Sequence, residues 1–314
     1  MCRLFMEDKC SFIYGVMEEM KEEATQAVSH SQVELAPLLR PIQKGDHLVM
    51  LGSCFAQYMG QRLQDEGYHT VVNPLGTLFN PFSIHNTVRA ALEAESIQMP
   101  VFNVDNEWRC WWANTRVKAP TQDQLVTSLR QQYGALGQAL RSAQHLVLTL
   151  GTNVCYRLHN SELYDGLVVT NCQRQPDRLF QEWRAGIEDV VASLTRLVEE
   201  LLAVTPDLQI ILTVSPYRYH KYGYHGSQLS KAVLLLAEDA LVRRFPRHCC
   251  YFPAYEILLD ELRDYRYYAP DGHHPGPLAI DYIWQRFSSL FASNVQLSRN
   301  KSITSQYGFE YKAL

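Results

Sequence analysis

His47-Leu48-Val49-Met50-Leu51-Gly52-Ser53-Cys54-Phe55-Ala56 decides how this chain is read. The run 47–51 is short and apolar and reads as a buried strand. Beyond it, Gln57 to Gly67 has helical spacing: Phe55, Met59 and Leu63 fall four residues apart. Ser53 therefore stands at a strand-to-helix turn. Unpaired backbone N–H groups and the positive end of the helix dipole favour a developing oxyanion there. A serine so placed is a candidate nucleophile. Cys54 is a rival, because a helix N-terminus lowers a thiol pKa. Adjacent side chains at a turn rarely share one direction, so a buried structural cysteine is the expected role.

Working outward, strand-like runs recur at 47–51, 70–72, 145–150, 208–214 and 250–252. Helical patterns are expected at 55–67, 83–94, 122–143, 177–204, 228–245 and 277–291. The clearest is 177–204, where Phe180, Trp183, Ile187, Val190, Leu194, Leu197 and Leu201 repeat every three to four residues. Such alternation implies an α/β fold, a mostly parallel sheet covered on both faces. Ligands of these sheets bind at the carboxyl ends of the strands, where Ser53 sits. The tryptophan-rich stretch 98–120, with Trp108, Trp111 and Trp112, reads as an insertion or cap; packed surface aromatics have the same appearance. Residues 1–28 read as a short helical extension, 29–295 as the main domain and 296–314 as a tail.

Composition narrows the function. The chain has 314 residues, enough for a large core, and 46% are hydrophobic against 20% charged. A net charge of −4 and a pI near 6.3 leave no basic footprint for nucleic acid. No apolar stretch approaches the roughly 18 residues of a membrane span. The N-terminus lacks a secretory pattern, so the expectation is a cytoplasmic protein. Eight scattered cysteines include no Cys-x-x-Cys, and reduced, buried thiols are expected.

A serine nucleophile needs a base, a group that orients the base, and oxyanion donors. Asp271-Gly272-His273-His274-Pro275 offers the first two: an Asp three residues before a His in a Gly/Pro loop can hold His274 in one tautomer. A capped surface turn would look the same. Asn153, after the run 145–150, could donate its side-chain N–H, and Gly76, after 70–72, its backbone N–H. Turn residues of those types are common without any such role. Each signal is weak alone; their order along one chain favours catalysis.

With the pentapeptide 52–56, the chain resembles the GSCFA family. The resemblance runs from about Val33 to Phe287. It includes Asn73-Pro74-Leu75-Gly76-Thr77, Thr149-Leu150-Gly151-Thr152, Asn171-Cys172, Thr213-Val214-Ser215-Pro216, Ser230-Lys231 and Asp271-x-x-His274-Pro275. That family is placed with the SGNH (GDSL-like) hydrolases. The resemblance implies a three-layer α/β/α sandwich, flavodoxin-like, in which Ser53, Asp271 and His274 are catalytic and Ser53, Gly76 and Asn153 form the oxyanion hole. It implies an ester hydrolase acting on a small-molecule or carbohydrate ester, without cofactor or metal. An O-acyltransferase and a silent ligand-binding relative are the alternatives. Three departures fall near the expected pocket: Gln173 after Asn-Cys, Tyr219 beside His220 after Ser-Pro, and Ala113-Asn114. His220, His225, His273 and His274 lack any recognised zinc spacing, and residues 52–56 lack the lysine of a phosphate loop. Tyr217, Tyr219, Tyr222 and Tyr224 could stack on a sugar; a packed loop is the commoner outcome.

Overall fold

Strands with no polar face must be covered on both sides. The computed structural model, which describes residues 31–291, meets that demand. The strands β1 (His47–Gly52), β6 (His145–Leu150) and β10 (Gln209–Val214) are buried along nearly their whole length. With β2 (His69–Val72) and β11 (Cys249–Tyr251) they form one five-stranded sheet of order β11-β10-β6-β1-β2, every pair parallel. In chain order this is the 2-1-3-4-5 winding, whose direction reverses between β1 and β6.

Alternate residues of each strand feed opposite layers. Val49, Leu148 and Leu212 join one core with the helices α2 (Pro81–Leu92), α3 (Gln122–Ser142), α4 (Ile187–Val204) and α5 (Gly223–Arg244). Met50, Val147 and Ile211 join the other with α1 (Cys54–Asp65) and α6 (Pro277–Ser288). The result is the expected α/β/α sandwich. Gly60 lets α1 lie close on β2: a Cβ there would stand 2.3 Å from Val72 Cγ2. Gly60→Ala is expected to lose about 1–3 kcal/mol of stability, read as a lowered denaturant midpoint; an unchanged midpoint would show that α1 can lift without penalty.

The helix expected over 177–204 is a correction. It begins at Ile187; Phe180–Arg184 is a strand, β9, antiparallel to β7 (Val154–Leu158), with β8 (Val168–Val169) on the other side of β7. Phe180 and Trp183 fit helical spacing, but three apart on a strand they face opposite ways. Phe180 packs on Trp111 (ring centroids 5.7 Å) and Trp183 on Phe82 (4.7 Å). Gly186 separates strand from helix, and its N–H donates to the Asp189 carboxylate at 2.9 Å.

The stretch 98–120 is a small antiparallel sheet of β3 (Val101–Val104), β4 (Glu107–Cys110) and β5 (Lys118–Ala119). Its hairpin turns at Asp105 and Asn106, both at positive φ. Cys110 and Trp112 enter the main core, and the Asn114 N–H donates to Leu75 O at 3.0 Å. Among the described residues no helix is long and apolar enough to cross a membrane. The expected extension at 1–28 and tail at 296–314 lie outside the described residues.

Candidate active site

Five loops leave the carboxyl edge of the sheet or approach it, and they carry every candidate residue. Gly52 ends β1 at φ +136, a conformation open to glycine. Its N–H donates to Asn73 Oδ1 at 2.9 Å and its carbonyl accepts Leu78 N–H at 2.7 Å. So fixed, the chain turns and Ser53 becomes the N-cap of α1, with its Oγ accepting the Phe55 N–H at 3.3 Å. Ser53 is only 2% exposed. Cys54 beside it has its thiol pKa raised, chiefly by burial. A thiol so held is mostly protonated at neutral pH, which weakens it as the nucleophile.

The Asp271–His274 pair forms as the spacing requires. His274 Nδ1 bonds Asp271 Oδ2 at 2.5 Å, while Asp271 Oδ1 accepts the His273 and His274 backbone N–H groups at 2.8 and 3.0 Å. Those two backbone bonds, with the imidazole, hold the Asp271 carboxyl well below the usual carboxylate range. Engaging Nδ1 leaves Nε2 as the nitrogen that can take a proton. His274 also lines a cleft of about 560 Å³, shared with Tyr58, Gln61 and Arg62 from the α1 helix that Ser53 caps.

Ser53 and His274 share no hydrogen bond in this structure. Tyr217 packs on the His274 side. Its ring rests on the His274 imidazole (centroids 4.3 Å), and its hydroxyl is raised in pKa, first by burial and then by the charges of Asp271 and Cys54.

The three expected oxyanion donors all face internal carbonyls. The Ser53 N–H donates to Thr149 O at 3.1 Å and the Gly76 N–H to Asn73 O at 2.9 Å. Asn153 Nδ2 donates to Ala185 O at 2.8 Å, tying the β7 loop to the start of α4. An amide nitrogen has two N–H bonds, so Asn153 retains a second. Gly76 sits at φ +104 against Asn114, whose Cβ would be 2.7 Å from an added Cβ.

A family profile described as the GSCFA family matches residues 47–287. The chain belongs to the GSCFA family. The match spans Ser53, Gly76, Asn153, Asp271 and His274 together. No curated protein matches the sequence. Among solved structures, this GSCFA chain is similar to a family two carbohydrate esterase from Clostridium thermocellum, solved in complex with cellohexaose. That pair is 12% identical, covers 88% of this chain and 68% of that one, and has a TM-score of 0.40. It is also similar to an acetyl xylan esterase from the rumen bacterium Butyrivibrio proteoclasticus: 12% identity, 82% of this chain, 64% of that chain, TM-score 0.39.

Asn73 and the pair Ser230-Lys231 were not singled out as site residues from sequence. Asn73 pins Gly52. Ser230 Oγ accepts the Asn153 N–H at 3.0 Å and pairs with Thr152 Oγ1 at 3.1 Å, fixing the turn after β6. The available signal was helical phase: Ser227, Ser230, Lys231, Leu234 and Glu238 share the buried face of α5. His220 stacks on His273 (4.4 Å between centroids, 24° between planes), and among the described residues no group of three or more His, Cys, Asp or Glu could hold a metal ion.

Proposed function

We propose that this GSCFA chain is a serine-dependent ester hydrolase. The observation that carries the reading is the Asp271–His274 bond at Nδ1, with Nε2 left open beside the cleft that α1 and the Asp271–His274 loop share. Ser53, at the α1 N-terminus and the switch point of the sheet, stands where such a nucleophile belongs. In the proposed reaction His274 Nε2 takes the Ser53 hydroxyl proton as Oγ bonds to the ester carbonyl carbon. The tetrahedral oxyanion collapses, the C–O bond to the alcohol breaks, and the alcohol leaves with the proton from His274. Water then attacks the acyl-serine with His274 again as base, releasing the acid and Ser53. Asp271 stabilises the imidazolium throughout. Asn153, through its second N–H, and the Ser53 and Gly76 N–H groups are the oxyanion donors of this reading. The two backbone N–H groups would each turn from their present carbonyl to the oxyanion or divide between the two.

The exposed Tyr58 with Gln61 and Arg62 gives the cleft an aromatic face and polar edges. That mixture suits the acetyl ester of a carbohydrate. The test is purified protein on p-nitrophenyl acetate and butyrate, alongside a fluorophosphonate serine probe. Turnover with labelling of Ser53, acetate faster than butyrate, is the expected result. Absence of both turnover and labelling would overturn the esterase reading in favour of a binding role. Labelling without turnover in water, with acyl transfer restored by added sugar, would convert it to an O-acyltransferase.

A further inference from the structure

Lys231 is 1% exposed, an uncommon position for a lysine. Its Nζ donates to Gly151 O at 2.7 Å and to Ser215 O at 2.8 Å. Those carbonyls follow β6 and β10, neighbouring strands of the sheet, so the ammonium ties their carboxyl ends together. β1 lies on the other side of β6, and the Ser53 N–H bonds Thr149, two residues before Gly151. The lysine is thus placed behind the nucleophile turn, across one strand.

No carboxylate ion-pairs with it among the described residues. Glu238, seven residues on along α5, is fully buried with both carboxyl oxygens unpartnered. Burial pushes its carboxyl well above the usual range, against the opposing pull of the lysine charge. At the turn, burial raises the Cys54 thiol pKa, the Cys54 and Phe55 backbone N–H groups lower it, and the Lys231 charge adds a smaller pull in the same downward direction.

We propose that Lys231 is a positioning residue of this site, a buried cation whose field at the Ser53–Cys54 turn favours negative charge on Ser53 Oγ and on the oxyanion. The proposal rests on Ser53 being the nucleophile. The groups facing the ammonium come from four elements: Glu238 on its own helix and Cys54 at the start of α1 favour its charge, and Arg218 in the loop after β10 opposes it. The Tyr255 ring, after β11, lies 5.6 Å away. Burial lowers the lysine to about 7. The field is therefore full below neutrality and fades as pH rises through that value.

The test places a thiol at the nucleophile position and reads its ionisation without needing turnover. In Ser53→Cys/Cys54→Ala protein, the alkylation rate of Cys at 53 by iodoacetamide is followed by peptide mass spectrometry across pH. The same chain carrying Lys231→Gln keeps N–H donors for the two carbonyls but loses the charge; Lys231→Met loses both. In either, provided the circular dichroism and thermal midpoint report a folded chain, alkylation at pH 6.5 should fall about tenfold, one pKa unit. Equal rates with and without the charge would overturn the proposal and leave Lys231 as a structural tie. Should neither variant fold, the wild-type chain decides: fluorophosphonate labelling of Ser53 should decline above about pH 7, and a plateau to about pH 9, near an ordinary lysine pKa of about 10.4, would overturn it. If Ser53 does not label at all, the esterase reading fails while the thiol measurement still judges the lysine.

Discussion

Ser53→Ala protein should lose at least about a thousandfold in ester hydrolysis and all fluorophosphonate labelling, while folding as the wild type does. The size follows from the chemistry. Without Oγ no acyl-enzyme forms, and only binding and oxyanion stabilisation remain to assist water. Folding should survive because the side chain lost makes one internal bond, accepting the Phe55 N–H at 3.3 Å; loss of an N-cap acceptor costs about 1 kcal/mol. Cys54→Ala is the matched control. Its thiol is raised in pKa by burial, so removal should leave turnover within about twofold of the wild type, as for a side chain outside the chemistry. Kinetics of both variants on p-nitrophenyl acetate make the comparison. The opposite pattern, an active Ser53→Ala and a dead Cys54→Ala, would assign the nucleophile to sulfur.

Gly52→Ala should be severely destabilising. The residue holds φ +136, and an added Cβ would lie 2.2 Å from Thr149 O and 2.9 Å from Thr149 C and N. These are backbone atoms of the central strand β6, so no side chain can swing aside. Relief requires parting β1 from β6 at the point where Ser53 N–H bonds Thr149 O. A loss above about 4 kcal/mol is expected, equivalent to a fall on the order of 10 °C in the calorimetric midpoint of a domain this size. Any folded remainder should label poorly, because the turn that presents Ser53 would have moved. A midpoint within about 2 °C of the wild type, under 1 kcal/mol, would show that the turn tolerates another conformation.

Much of this was legible from the chain alone. Apolar runs at 47–51 and 145–150 have no polar alternation and are too short for a buried helix, which leaves a strand covered on both faces. The helix after Ser53 follows from Phe55, Met59 and Leu63. Asp271 and His274 are three apart in one loop, so a local turn suffices to join them, and local geometry is what sequence spacing encodes. Phe180 and Trp183 mark where this fails. Their spacing with Ile187 satisfies a helix and a strand end equally, and the pairing of β9 with β7 chose between them.

Sequence by itself determined the buried strand runs, the strand-to-helix turn at Ser53 and the Asp271–His274 pair, because each depends on residues within a few positions of one another. Tertiary structure decided what surrounds them. It set Tyr217 against His274, turned the Asn153 amide onto Ala185 O, closed Gly52 against Thr149 and buried the Lys231 ammonium on two strand ends. Each of these joins residues dozens of positions apart or across strands, or, for Asn153 and Lys231, sets the direction of one side chain among distant carbonyls. Those relations come from how the layers pack and where backbone groups find partners, which no local pattern specifies.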